Sequence, residues 1–341
     1  MIIVQATNIH QGGGAVLLTA LLDQISQTNE KAILFVDERF SLPERANIEV
    51  FKVKPKIISR LWAEWKLKQT ASLCGNPNIL FFGNLPPLFK NNSRSILFFQ
   101  NTVLLDQNRH FDFNFSVRFK HAIERMWLKS KLGNISLVIV QSGSLERSLN
   151  LQFPKCLVKV VPFAEFKSYP PQVPKSHDFI YVASSDPHKN HLNLLKAWLL
   201  LGESGVVPKL TLTASNFSIR EQNLLEAAAK NKLNIELVPN LPHDEVLKMY
   251  SSAKALIYPS FTESFGLPLV EAKIAGLPII ASELDYVRDI VSPAQTFDPN
   301  SEISIARAVL RFLNLPEIRK VEIKSAAEFL NEVLANAKLQ S

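Results

Sequence analysis

Apolar and polar positions alternate along the chain in two periods. Residues 1–9 form a short apolar run, glycines follow, and AVLLTALLDQIS then repeats at helical spacing before KAILFVDE. That order predicts a strand, a turn, a helix and a strand, a βαβ unit. Further strands are predicted at ILFF (79–82), SILFFQ (95–100) and LVIVQS (137–142), with helices over 57–70 and 116–132 between them, and the composition shifts after VKVVPF (158–163). SYPPQVPKSH (168–177) carries three prolines and no apolar period, and reads as a linker. The pattern then restarts: DFIYVAS, a helix over 190–201, KLTLTAS, a helix over 218–231 and IELVP. A helix over 243–252, ALIYPS, a helix over 268–275 and PIIAS complete it. Alternation of this kind argues for parallel sheets covered by helices. The expected organisation is a first α/β domain over 1–167, the linker over 168–177 and a second domain over 178–315. A C-terminal segment over 316–341, with a helix near 317–336, is expected to cross back onto the first domain.

The length of 341 residues agrees with about two domains, and a hydrophobic fraction of 47% suits a chain that builds cores. No apolar run reaches the roughly 18 residues that span a bilayer. The opening MIIVQATNIHQGGG lacks a basic region and a small-residue cleavage site, so it reads as a first strand and not a secretion signal. Cys74 and Cys156 have neither CxxC nor metal-ligand spacing, and are expected to be buried, reduced thiols of a cytoplasmic protein. The net charge of +7 favours polyanionic partners: nucleic acid, phosphate-bearing ligands or an anionic membrane face. No nucleic-acid recognition motif accompanies that charge.

In doubly wound sheets ligands sit beyond the carboxyl ends of the strands. The post-strand segments are therefore where chemistry is expected. PSFTESFGLPLVEA (259–272) follows a predicted strand and opens a helix. Pro268 suits a first helical turn and Gly276 a helix exit, while Gly266 lets the backbone approach a ligand. Free N–H groups at that helix start favour phosphate or sugar hydroxyls. Glu271 is placed in the first turn and Glu263 in the loop before it. The plainer account is a carboxylate complementing the helix dipole and a solvated loop residue. Lys189, in VASSDPHKN (182–190), follows another strand, and its plainer account is a surface charge. His188 and His191 read as ordinary polar residues without metal-ligand company.

Gly12, Gly13 and Gly14 open the first predicted helix, and Asp37 ends the next strand. That spacing is like a dinucleotide-binding unit, but the third glycine of the fingerprint falls on Leu17. A tight strand-to-helix turn is the plainer account, though three glycines in a row exceed what such a turn needs. LFFQNTVLLDQN (97–108) is a further post-strand loop, with Gln100 and Asn101 able to bind hydroxyls.

Together these segments carry a resemblance. PSFTESFGLPLVEA resembles the glutamate-x7-glutamate signature of family 4 retaining glycosyltransferases, which have the GT-B fold. NLPHDEVLKMYSSAKALIYPS (240–260), AGLPIIAS (275–282) and FDPN (297–300) resemble the segments around it, and the likeness runs from about Tyr181 to Phe312. It implies two Rossmann-like domains facing a cleft and a nucleotide-sugar donor. By the resemblance, Glu271 holds the donor ribose, and Phe265, Gly266 and Leu267 offer backbone N–H groups to sugar and phosphate. Glu263 lies by the anomeric carbon and Lys189 neutralises the leaving diphosphate. Gly13 and Gly14 face donor or acceptor across the cleft. Many members carry an arginine where Ser184 stands, and a histidine near Gln100 and Asn101. The latter pair resembles the variant of polysaccharide and O-antigen assembly enzymes, for which His110 and His121 supply no evident substitute. The resemblance implies no cofactor and no metal, in keeping with a chain that has no Asp-x-Asp. The acceptor it implies is a glycan or a lipid-linked glycan. Three alternatives stand beside it: a sugar-nucleotide epimerase of the same fold, a nicotinamide-dependent oxidoreductase, and a catalytically silent partner subunit.

Two segments suggest a membrane. In VRFKHAIERMWLKSKL (117–132), Arg118, Arg125 and Lys129 fall within about 40° of one another at 100° per residue. IISRLWAEWKLK (57–68) places Trp62 and Trp65 about one turn apart with Arg60, Lys66 and Lys68 nearby. The expectation is a peripheral contact with anionic lipid on the inner membrane face; the alternative is an apolar face packed on the sheet with a solvated basic edge.

Overall fold

A computed structural model describes residues 1–42, 45–105, 113–164, 173–239, 241–318, 325, 326 and 328. Linker positions 168–172, His110 and most of the expected C-terminal helix lie outside the described residues. The first domain runs β1 (Ile2–Ala6), α1 (Gly12–Ser26), β2 (Ala32–Asp37), β3 (Ile48–Val53), α2 (Ile57–Leu73), β4 (Asn78–Phe81) and β5 (Ser95–Phe98). It continues through α3 (Phe115–Lys131), β6 (Leu137–Val140), α4 (Gly143–Gln152) and β7 (Val158–Val160). The second domain holds β8 (His177–Tyr181), α5 (His191–Glu203), β9 (Leu210–Leu212), α6 (Ile219–Lys230), β10 (Ile235–Leu237) and α7 (His243–Ser252). β11 (Ala253–Tyr258), α8 (Leu267–Ile274), β12 (Ile279–Ser282), α9 (Asp285–Arg288), β13 (Gln295–Phe297) and α10 (Glu302–Phe312) follow.

Both sheets are parallel. The first has seven strands in the order β3-β2-β1-β4-β5-β6-β7, the second six in the order β10-β9-β8-β11-β12-β13. Their central strands are apolar on both faces because helices cover both; all six residues of β2 are buried. α1 seals one face of the first sheet with Leu17, Leu18 and Leu22. Ala63 and Leu67 of α2, Leu128 of α3, and Leu145 and Leu149 of α4 seal the other. In the second domain Trp198 of α5 is buried among Phe179, Leu210 and Leu201, and its indole N–H donates to the Pro208 carbonyl at 3.0 Å. Satisfying that N–H lets the ring contribute its full apolar area to the core.

Each strand order reverses direction at one point, between β1 and β4 and between β8 and β11. Loops leaving neighbouring strands at such a point diverge to opposite faces and open a crevice. Lys189 follows β8 and Glu263 follows β11; Gly12–Gly14 follow β1. Topology alone therefore gathers the expected site.

Some elements differ from the sequence reading. β3, α4, β7, α9, β13 and α10 are additional to it, and β8 begins at His177, inside the expected linker. Glu271 is the fifth residue of α8 and not in its first turn, because the helix starts at Leu267 as soon as Gly266 has turned the chain at φ 72°. Gly276 leaves that helix at φ 66°, a left-handed exit that a side chain would strain. Cys74 and Cys156 are half-buried free thiols and not core residues.

Candidate active site

The centre is an ion pair. The Lys189 ammonium donates to Glu263 Oε1 at 2.7 Å and Oε2 at 2.9 Å, and the two side chains are only 15% and 10% exposed. The Tyr258 hydroxyl, at the end of β11, donates to Glu263 Oε1 at 2.9 Å. Burial pushes the Glu263 carboxyl up, but the Lys189 ammonium, through its charge and its hydrogen bonds, more than offsets it, and the group is held below the ordinary carboxylate range. It is therefore an anion at neutral pH. Burial, and then the Lys189 charge, pull His188 down to about 4, so its imidazole is neutral there. Burial drives the Tyr258 and Tyr181 hydroxyls well above their usual value; they act as fixed donors.

The backbone around the pair is tied from several elements. A short 3-10 turn over Pro187–Lys189 ends at Asn190, whose left-handed φ of 61° sets the start of α5. Buried Asn190 donates through Nδ2 to the carbonyls of Pro259 at 3.0 Å and Pro299 at 2.8 Å. The Phe261 N–H donates to the His188 carbonyl at 2.9 Å, and the Tyr181 hydroxyl donates to the Lys189 carbonyl at 2.8 Å. The loops after β8 and β11 thus form one rigid piece, with the FDPN segment as its third side. Such pre-organisation spares reorganisation when charge develops.

Glu271 is buried. Its Oε2 accepts from the Tyr250 hydroxyl at 2.9 Å and its Oε1 meets His243 Nε2 at 2.7 Å, both on α7. Two partners leave each oxygen a second lone pair for a hydroxyl. At the start of α8 no side chain caps the helix, so the N–H groups near Gly266 and Leu267 are free of a cap, with Phe265 buried beneath. The start of α1 likewise has no side-chain cap. The two helix starts face each other: a Cβ on Gly13 would stand 3.9 Å from Leu267 Cδ2, and Leu267 packs against the first domain's core. Gly14 has room only for the Ile9 side chain, 3.3 Å from a Cβ. Two uncapped helix N-termini aimed at one cleft make it attractive to anions.

Ser184 is exposed, and its hydroxyl donates to Asp186 at 2.6 Å. Asn101 is turned to local duty, its Oδ1 capping a 3-10 turn by accepting from the Val103 N–H at 3.1 Å. The buried Gln100 side-chain nitrogen has no partner among the described residues. Of the expected basic stripe on α3, Arg118 and Lys129 are exposed. Arg125 is not: it is half-buried and donates to the Val103 carbonyl at 3.1 Å, because it faces the loop after β5.

The domains also meet at α4. The Ser142 hydroxyl donates to the Ser264 carbonyl at 2.9 Å, the Ser144 N–H donates to Asp289 at 2.7 Å, and Arg147 pairs with Asp285 at 3.1 Å. Beside this clasp lies a cavity of about 880 Å³ lined by Thr102, Ser144, Arg147, Thr262, Glu263 and Tyr286. Sequence reasoning missed α4, Asn190, Tyr258, Tyr250 and His243. The last two stand 21 and 28 positions from Glu271, beyond any local spacing rule.

Residues 163–329 match the family model of glycosyl transferases group 1. Over 146 residues the chain is 27% identical to O-antigen chain mannosyltransferase B of Escherichia coli, covering 42% of this chain and 38% of that protein. Over 145 residues it is also 27% identical to the O-antigen chain mannosyltransferase RfbU of Salmonella typhimurium, covering 42% and 40%. The chain thus matches about two fifths of the length of these relatives. Solved structures agree over nearly the whole chain. Sucrose-phosphate synthase from Thermosynechococcus elongatus superposes with a TM-score of 0.73 at 16% identity, over 92% of this chain and 89% of that one. WaaG, a glycosyltransferase involved in lipopolysaccharide biosynthesis, gives 0.65 at 13% identity over 92% and 90%. Anabaena HepE, solved with UDP and glucose, gives 0.63 at 14% identity over 92% and 89%. The fold is therefore GT-B: two Rossmann-like domains of parallel α/β architecture. Its second domain carries the group 1 match.

Proposed function

We propose that the chain is a glycosyltransferase that moves a hexosyl group from a nucleotide-sugar donor to a glycan or lipid-linked glycan with retention of anomeric configuration. The observation that carries this reading is the Lys189–Glu263 pair, built from the two loops at the second sheet's reversal point and facing the uncapped starts of α8 and α1. The group 1 match, the O-antigen mannosyltransferase relatives and a structural neighbour solved with UDP and glucose support the same class. They favour neither the epimerase nor the silent subunit.

In this reading the donor diphosphate lies at the start of α8 beside Lys189. The ribose hydroxyls donate to Glu271, oriented by Tyr250 and His243. Glu263 sits by the transferred sugar, and its negative charge stabilises the oxocarbenium-like centre as the C1–O bond to phosphate breaks. The acceptor oxygen bonds to C1 on the same face, and its proton passes to the departing phosphate oxygen. Lys189 and the helix N-termini take the charge-neutralising role that a divalent metal fills elsewhere. The acceptor approaches through the cavity beside α4, where Thr102 and Gln152 stand on the first-domain side. The place of action is the cytoplasm or the cytoplasmic membrane face.

A thermal-shift screen of UDP, GDP and ADP tests the donor assignment, since a ligand at 100 times its Kd stabilises by about 2.7 kcal/mol. Transfer assays then follow the anomeric proton by NMR. Glu263→Gln and Lys189→Ala should each lower kcat by about a hundredfold or more, with smaller changes in donor affinity. EDTA should leave activity intact. Absence of a shift with all three diphosphates, or transfer with inversion, overturns the reading.

A further inference from the structure

α3 exposes an apolar row. Phe115, Phe119, Ala122, Ile123 and Met126 recur at spacings of about one helical turn and are exposed, Phe115 and Met126 by 83% and 66%. Two of its charged residues, Glu124 and Arg125, are half-buried instead. α2 repeats the arrangement: Trp62 and Trp65 are exposed, the latter at 51%, whereas Glu64 is buried. The two helices lie on the same face of the first sheet, where Ala63 and Leu67 share a core with Leu128 and Leu132. The β4–β5 loop joins them. Its Leu88 N–H donates to Glu64 at 3.2 Å, its Pro86 carbonyl accepts from the Trp127 indole at 2.9 Å, and its Phe89 is exposed beside α2. Phe89 and Trp65 line a cavity of about 400 Å³. Solvent-facing aromatics in this number are costly on a surface that meets only water.

Among the described residues of the two helices and their flanks, the exposed charges have one sign. Lys68, Arg118, Lys120 and Lys129 are exposed on the two helices, and Lys54, Lys56 and Lys90 border them. The carboxylates of the same helices are withdrawn, Glu64 into the core and Glu124 beside Lys120.

We propose that the outer faces of α2 and α3, with Phe89 of the β4–β5 loop that joins them, are a membrane-docking surface for a bilayer of anionic phospholipid. The aromatic and Met side chains enter the interfacial layer while the lysines and arginines meet headgroup phosphates. This differs from a plain basic stripe in that the apolar residues provide the insertion and Arg125 takes no part. The docking surface stands independently of the reaction catalysed, and no described helix is long and apolar enough to cross a membrane.

The test is co-sedimentation of the full chain with vesicles of phosphatidylcholine, with and without phosphatidylglycerol. The parent should pellet with the anionic vesicles at low salt and blue-shift the Trp62 and Trp65 fluorescence. Lys68→Gln, Arg118→Gln and Lys129→Gln together should lower partitioning about a hundredfold, each basic residue being worth roughly fivefold. Trp65→Ala, Phe119→Ala and Met126→Ala together should abolish pelleting. Sedimentation velocity without lipid covers the competing occupant. Failure of the parent to pellet, equal pelleting with neutral vesicles, pelleting that survives the apolar substitutions, or a lipid-free dimer that those substitutions dissociate would each overturn the proposal. A nucleotide thermal shift unchanged in both triple variants shows that the fold and the cleft are intact.

Discussion

Replacing Glu64 by glutamine should make the first domain less sensitive to pH. Glu64 lies beneath the β4–β5 loop, where its Oε1 accepts from Gln5 Nε2 at 3.2 Å and its Oε2 from the Leu88 N–H at 3.2 Å. No cation pairs with it among the described residues. Burial therefore dominates, only partly opposed by the Leu88 N–H, and raises the carboxyl from 4.5 to about 7. Below about pH 4.5 folded and unfolded chains both hold the proton, and the contribution to stability is at its fullest. Between 4.5 and 7 the unfolded chain has released it while the folded one retains it, so stability falls as pH rises. Above 7 the folded protein carries a buried anion. A gap of 7 − 4.5 units at about 1.4 kcal/mol per unit gives a total loss of about 3 kcal/mol. The substitution E64Q removes that loss at modest cost: the new amide nitrogen can face Gln5, whose own amide can flip because its other partner is the Thr7 hydroxyl, at 3.0 Å. Three of the four tryptophans lie in the first domain, so denaturant unfolding by fluorescence from pH 5 to 8 reports mainly on it. Parent and E64Q should be nearly equal at the acidic end, and E64Q the more stable by about 3 kcal/mol at the alkaline end. Parallel pH profiles for the two proteins would refute the reasoning.

Glu271→Ala should weaken nucleoside diphosphate binding by about 1.5–3 kcal/mol, and Tyr250→Phe by about 1 kcal/mol, both read by calorimetry; equal affinities would remove Glu271 from the ribose. Asn190→Ala should destabilise the second domain by about 2 kcal/mol or more, through lost bonds to Pro259 and Pro299 and through left-handed strain. Asn190→Gly should recover the backbone share of that loss, and its failure to do so would show that the strain is absent. Glu263→Gln leaves the Lys189 ammonium without its carboxylate in a site that borders the cleft, so it should also lower stability, by about 1–3 kcal/mol. An unchanged midpoint would show that water enters there.

Much of this architecture is legible as period and punctuation. The strands that are buried on both faces are apolar runs too short for helices, and Gly266 and Gly276 bracket α8 at the two positions where the chain turns left-handed. α4 escapes notice because in GSLERSLNLQ only Leu145 and Leu149 reach the core, too few to mark a face. Glu263, Glu271 and Lys189 can be singled out because they sit beside turns after strands. Their holders cannot, since Tyr258 and Tyr250 read as ordinary apolar positions until the folded chain brings their hydroxyls to a carboxylate. Arg125 departs from expectation for a related reason: angular spacing on a helix shows which residues share a side, not whether that side meets solvent.

The clasp at α4 answers unequally to salt. Its outer half, Arg147 against Asp285 and Asp289, is exposed and is weakened by salt. Its inner half, the Ser142 hydroxyl on the Ser264 carbonyl, joins uncharged groups and is nearly indifferent to ions. Added salt should therefore loosen the rim between the domains before it touches the contact beside Glu263.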